Sequence, residues 1–439
     1  MRPALLRLVL VAVFLSACGQ LPGSPTAPAM PTITPLPSAT PLPTATPAPA
    51  ATLTPEPTPD LAWVLEAPAG GSYRLPLAIR HLTPQRAIFQ FALAEPQPAE
   101  LVIWQALDRS DLQRLTLAAG ETQASIGGLL PDTEYQAQLL VDSAGQPSRP
   151  QALDAVWPRL TFRTPVGTSQ GLRIAVFGDS GFGEPVTRQL AELVSQLEVD
   201  FVVHTGDLVY RVDENTDPPT AYLLKYYQSL APILWRMPVY AVPGNHEFDG
   251  PTHWQGAPYY FEAFASVSDP DFSYPSESDG TWYAFSYGDL QFVMTNTQVL
   301  FGYPGRAVQE TWLAERVRDG TYRATIVVGH VSPYSSGRHQ VDSAIVRSQW
   351  GHLLTEPLVA LTLAGHDHNY QHFEVDGNVF IVAGAGSAHL YQLVGSETPL
   401  LAGASQVSFV LLEVGAERLT GSAIDLDGGV FDSFEIPLP

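Results

Sequence analysis

The chain has 439 residues, enough for two or three domains, and 45% of them are hydrophobic, so sizeable cores can form. Its charge is lopsided: 22 Lys and Arg stand against 44 Asp and Glu, a formal net charge of −22. Gripping a phosphate backbone or an anionic membrane surface needs clustered Lys and Arg; no basic stripe is present, so nucleic-acid binding is not expected.

The opening stretch MRPALLRLVLVAVFLSAC places Arg2 and Arg7 ahead of an apolar run that ends in small residues. This is the pattern of a secretion signal over 1–17, with an apolar run too short for a permanent membrane helix. Leu15-Ser16-Ala17-Cys18 resembles a bacterial lipoprotein lipobox. That resemblance implies an extracytoplasmic protein whose Cys18 is lipid-modified and anchors it to the bacterial cell membrane; the plainer alternative is secretion with an incidental cysteine. Cys18 is the only cysteine, so the domains beyond it hold no internal disulfide, and a metal site there must use His, carboxylate, amide or phenol. The rest of 18–60 is a Pro/Thr/Ala-rich linker that cannot bury enough to fold. As polyproline II it would reach roughly 130 Å.

From 61 to 165 short alternating segments recur: RAIFQFAL, AELVIWQAL, EYQAQLLVD and RLTFRTP. Tyr135, Ala137, Leu139 and Val141 share one face at period two, as in a half-buried antiparallel strand. Leu129-Leu130-Pro131-Asp132-Thr133-Glu134-Tyr135 resembles the Leu-x-Pro-x-Thr-x-Tyr signature of fibronectin type III domains. An all-β sandwich is expected, with its tyrosine making a corner contact.

The texture changes at 172. LRIAVFGD, EPVTRQLAELVSQLEV and DFVVHTGD read as strand, helix and strand, with Val186, Leu190, Leu193 and Leu197 at helical spacing. Helical AYLLKYYQSLAPIL, strand VYAVPGN, helical AVQETWLAERV, strand ATIVVGH, helical SAIVRSQWGHLL and strand LVALTLAGH follow, then a closing series of hairpins. This is an α/β domain over 172–439. Ligands in such sheets gather beyond the carboxyl ends of strands, and here every such end carries a polar cluster.

Those clusters are Asp179-Ser180-Gly181, Gly206-Asp207-Leu208-Val209-Tyr210, Gly244-Asn245-His246-Glu247, Val327-Val328-Gly329-His330 and Gly365-His366-Asp367-His368. Singly, each has a dull explanation: a turn, a loop closure, a hydrogen-bonded histidine, a packed tyrosine. Together they supply hard and borderline ligands without sulfur, as a two-metal hydrolytic centre requires.

The ordered set D-x-G, G-D-x-x-Y, G-N-H-E, V-x-x-H and G-H-x-H resembles that of the purple acid phosphatases, within the calcineurin-like metallophosphoesterases. Gly181 and Tyr210 stand where the wider superfamily usually has His and Asp or Asn, which points to the purple branch. The resemblance implies a β-sandwich flanked by helices in αββα layers. It also implies Fe(III) held by Asp179, Asp207, Tyr210 and His368, with Asp207 bridging to a second divalent ion (Fe, Zn or Mn) on Asn245, His330 and His366. Tyr210 would then be a phenolate that favours ferric iron. The two ions outweigh the carboxylates and phenolate, so the centre stays positive in an acidic protein.

The implied chemistry is attack of a metal-bound hydroxide on a phosphate monoester, with no phosphoenzyme. His246 would stabilise charge or donate a proton over the substrate. His339, nine residues after His330, corresponds to the first of a substrate-facing histidine pair in plant members, or is a solvated loop residue; Gln340 replaces the second. His204 is a candidate to orient a carboxylate, and Tyr370 to line the pocket. His253, His352, His372 and His389 are read as structural or exposed. The expected partner is a small phosphate ester, the membrane enters only through the lipid anchor, and oligomeric state is open. A phosphodiesterase or nucleotide hydrolase on the same centre is the alternative, with pocket loops 211–220, 248–280 and 333–345 deciding; an inert surface-binding lipoprotein ranks below both.

Overall fold

The period-two alternation holds in the sixth strand, whereas the second and third are buried almost throughout. In the computed structural model, Tyr135, Ala137 and Leu139 are all buried on one face of β6 (Glu134–Asp142). One sheet joins β1 (Tyr73–Thr83), β2 (Arg86–Leu93) and β5 (Gln123–Gly127). A second runs β4 (Gln113–Leu117), β3 (Ala99–Gln105), β6 and β7 (Pro150–Ala152), with β8 (Leu160–Arg163) also paired to β6. Their inner faces share one apolar core that includes Phe89, Leu101, Tyr135 and Phe162. The Tyr135 hydroxyl accepts the Leu130 N–H at 2.9 Å, the expected corner contact. The structure describes residues 73–107, 112–142, 150–152, 159–210, 221–248, 258–264, 266–267, 269–395, 398 and 400–439, all within the unit Pro59–Pro439. The secretion signal, Cys18, the linker, loop 211–220 and 249–257 with His253 lie outside them.

The second domain is two sheets face to face. The six-stranded one runs β11 (Val239–Ala241), β10 (Phe201–His204), β9 (Arg173–Phe177), β20 (Ser408–Val414), β21 (Arg418–Asp425) and β22 (Val430–Pro437). The eight-stranded one runs β12 (Phe272–Ser273), β13 (Tyr283–Tyr287), β14 (Leu290–Met294), β15 (Ala324–Val331), β16 (Val359–Gly365), β18 (Asn378–Ala383), β17 (Tyr370–Val375) and β19 (Ala402–Ala404). In β9, Ile174 and Val176 point into the core between the sheets, while Ala175 and Phe177 face the layer of helix Pro185–Gln196. On the far side Val327 and Val331 pack in one core with Val346, Trp350 and Leu353 of helix Gln340–Leu354. Layers of helix, sheet, sheet and helix result. β9, β10 and β11 are parallel, as are β14, β15, β16 and β18, so their carboxyl ends share one rim.

Two expectations change. AYLLKYYQSLAPIL is not one helix: a π-helical turn, Leu223–Gln228, gives way to a short helix, Ala231–Leu234. Pro232 lacks an N–H and fits only a helix's first turn, so the chain restarts there. The hairpin of β13 and β14 also has no counterpart in the sequence reading. Between the domains, Arg80 donates to Val239 O at 3.2 Å, His81 meets the Tyr240 hydroxyl at 2.6 Å, and Thr161 N–H donates to Trp235 O at 2.8 Å. The sandwich thus braces β11, the strand that leads to Asn245.

Candidate metal centre

Each ligand loop follows a buried strand. Asp179 follows β9, Asp207 and Tyr210 follow β10, and Asn245 follows β11; His330 lies in the end of β15, and His366 and His368 follow β16. The turns are tight enough to impose unusual backbone: Asp179, Asp207 and His366 have φ of 57°, 55° and 70°. Left-handed non-glycine residues cost energy and cluster where function demands them. Neighbouring glycines permit the crowding, since a Cβ on Gly244 would lie 2.0 Å from Asp207 Oδ1 and one on Gly365 2.4 Å from Asp179 Oδ2.

All seven expected ligands converge. Asp179, Asp207 and His368 offer one ligand atom each within 4.8 Å of one another, and so do Asp207, His330 and His366. Asp207 belongs to both groups. The Tyr210 hydroxyl lies 3.0 Å from Asp179 Oδ1 and 2.8 Å from His368 Nε2. Asn245 Oδ1 is 3.2 Å from His330 Nε2, which is 3.2 Å from His366 Nδ1. The first group is buried throughout, whereas His366 and Asn245 are partly exposed, so the second side faces the solvent.

The histidines are pre-oriented. His330 Nδ1 donates to Thr205 O at 2.8 Å, His368 Nδ1 donates to His389 O at 2.5 Å, and His366 Nε2 donates to Asp342 at 3.1 Å. Each ring therefore turns its other nitrogen towards the cluster, the arrangement that fixes a metal-ligating tautomer. His330 Nε2 facing His366 Nδ1 at 3.2 Å needs a proton or a cation between them. The donor set fits two hard or borderline cations.

Electrostatics agree. Burial pushes His366 and His368 down to about 4, so both imidazoles keep a lone pair at mildly acidic pH. Burial also lowers His330, but the Asp207 carboxylate outweighs it and holds His330 up at about 10. Burial would raise Asp207, yet His330 and His246 keep it below the usual carboxylate range. Asp179 is pushed well up by burial, and Tyr210 by burial and then by the Asp179 and Asp207 carboxylates. A bound cation reverses such shifts by favouring the deprotonated ligands.

His246 is not among the ligands: its N–H donates to Asp207 Oδ1 at 3.0 Å and its ring lies 4.4 Å from that of Tyr210. The His339 ring lies tilted, 3.9 Å from that of His366, with Nδ1 3.2 Å from Asp342. His204 props the turn, accepting the Gly206 N–H at 3.2 Å and meeting Ser180 Oγ at 2.8 Å. Tyr370 does not line the pocket: it is buried between the sheets with its hydroxyl on Asp432 at 2.6 Å, since the first residue of β17 points inward. Tyr391 takes that place, stacked 4.0 Å from His368. His372 is bonded to Asp432, and the exposed His389 ring stacks on Phe182.

Four acidic or aromatic residues of the site were not singled out from the sequence. Glu247 accepts N–H groups from Gly244, Asp207, Leu208 and Val209 at 2.6, 2.9, 2.8 and 3.2 Å, tying two ligand loops together. Burial and the Asp207 charge raise it to about 7. Asp342 and Tyr391 act as described, and Asp367 accepts the Arg338 and His339 N–H groups at 2.6 and 3.1 Å. Only Glu247 and Asp367 had a local signal, each lying inside a ligand motif.

Residues 172–370 match the calcineurin-like phosphoesterase family model. Human acid phosphatase type 7 is 27% identical over 45% of this chain and 47% of its own length. A barley (Hordeum vulgare) nucleotide pyrophosphatase/phosphodiesterase is 26% identical over 54% of this chain and 74% of its own. The chain spans about half the length of the human relative. Among solved structures, a purple acid phosphatase from yellow lupin seeds superposes with a TM-score of 0.66 at 18% identity, over 85% of this chain and 75% of that one, a likeness of fold. The family match and these relatives support a metal-dependent phosphoesterase with a calcineurin-like domain.

Proposed function

We propose that the protein is a binuclear-metal hydrolase of phosphate monoesters, of the acid phosphatase type, tethered to the outside of a bacterial membrane through lipidated Cys18. The observation that carries the catalytic part is the sharing of Asp207 between two ligand groups. Asp179, Asp207, Tyr210 and His368 would hold Fe(III); Asp207, Asn245, His330 and His366 would hold a divalent Fe, Zn or Mn ion. When bound, the ions supply Lewis-acid charge for a phosphoryl group and acidify a water molecule.

The chain's own residues do the rest. His246, fixed over Tyr210 by its bond to Asp207, is placed to offset charge developing on the phosphoryl oxygens. His339 keeps Nδ1 on Asp342, which leaves Nε2 to hand a proton to the departing alcohol. Asp342 holds the proton donor and the metal ligand His366 in one register. Turnover of p-nitrophenyl phosphate should collapse in Asp207→Ala; equal turnover in variant and wild type would end this reading. The barley relative's name favours a second reading, hydrolysis of nucleotide anhydrides or diesters on the same centre, tested by relative rates on mono- and bis-nitrophenyl phosphate.

A further inference from the structure

Beside the metal ligands the loop 335–339 presents an exposed cation. Arg338 N–H and His339 N–H both donate to Asp367 Oδ1, at 2.6 and 3.1 Å, and the Ser335 hydroxyl bonds the other oxygen of that carboxylate. Gln340 Nε2 donates to Gly395 O at 2.7 Å and Val394 N–H to Ser336 O at 2.7 Å, which stitches this loop to the segment carrying Tyr391. Tyr391 lies 4.0 Å from His368 and His339 lies 3.9 Å from His366, and the Tyr391 and His339 rings are 5.7 Å apart. The Arg338 guanidinium stands over Tyr391, its Cζ 5.2 Å from the ring centroid. It has no carboxylate within ion-pair distance among the described residues.

An arginine fork on a rigid loop, seated on an aromatic ring, is built to receive a planar or tetrahedral anion through paired N–H groups. The reacting phosphoryl group would already meet the charge of the two ions that the ligand set would hold. A second cation at the rim, in a chain of net charge −22, therefore needs a second anion. We infer that Arg338 is a specificity-determining residue that selects substrates whose leaving group carries a second phosphate, such as an inorganic or nucleoside diphosphate. This rests on the phosphoesterase reading above. The water oxygen bonds one phosphorus as the bridging P–O bond breaks; the bridging oxygen leaves with the second phosphate and takes the proton.

The test uses the metal-loaded full chain and two probes, pyrophosphate and p-nitrophenyl phosphate. The ratio of their kcat/KM values should fall about tenfold or more in Arg338→Ala. Arg338→Lys, which keeps the charge without the fork, should fall between. A ratio unchanged from wild type in Arg338→Ala would overturn the inference. Calorimetry of pyrophosphate against orthophosphate separates the two claims. Tighter pyrophosphate binding that depends on Arg338, without turnover of either probe, would uphold the selectivity and sink the enzyme reading. Equal binding of both anions by the wild type would overturn the selectivity itself.

Discussion

The Tyr210 hydroxyl lies 2.8 Å from His368 Nε2, although the two residues are 158 positions apart and come from different sheets. Both atoms face Asp179 as well. If a ferric ion occupies that point, the phenolate gives a violet charge-transfer band. Tyr210→Phe should lose the band and retain the second ion's ligands; a visible spectrum of the iron-loaded protein decides it. An unchanged band in the variant would remove Tyr210 from the ligand set.

Metal uptake should release protons. In the metal-free protein His330 is held up at about 10 and Tyr210 well above its ordinary value, so both carry a proton at pH 7. A cation must displace them, and affinity should therefore fall as pH drops, by about tenfold per unit for each proton released. His366 and His368, already neutral above about 4, add nothing to this slope near neutrality. Calorimetry in buffers of different ionisation enthalpy should count at least two protons in the wild type and one fewer in Tyr210→Phe.

Asp342 touches no expected metal position, yet it orients His366. Removing such a partner typically costs about 10–100-fold in metal affinity. Asp342→Ala should weaken the second ion by that amount and leave the first in place. Chelator competition followed by elemental analysis reads both ions separately.

Glu247 carries the connection between the Gly206–Tyr210 and Gly244–Glu247 loops through four N–H groups. An amide in its place offers one acceptor oxygen and turns an NH2 towards donors. Glu247→Gln should cost about 2–3 kcal/mol of stability in the metal-free protein, read from the denaturant midpoint.

The ligand motifs were legible because each follows or ends a strongly apolar strand and has a glycine just before its first ligand (Gly178, Gly206, Gly244, Gly329 and Gly365), a pattern set by short-range geometry. Glu247, Asp342 and Asp367 were not, because they act on backbone N–H groups or on partners from remote segments. Asp342 reaches His366 across 24 residues, and nothing on the first turn of helix Gln340–Leu354 marks it as other than an exposed acid. Tyr370 and Tyr391 were exchanged for a similar reason. Both follow His368, but only the tertiary path decides which ring faces the core. The sandwich was foreseeable from its alternation; its grip on Val239 and Tyr240 was not, since Arg80 and His81 look like ordinary strand polar residues.

The most direct test of the shared carboxylate is the metal content of purified protein, wild type beside Asp207→Ala. A centre built on Asp207 predicts about two ions per chain in the wild type and at most one in the variant. Two ions retained by Asp207→Ala, or only one bound by the wild type at saturation, would contradict it.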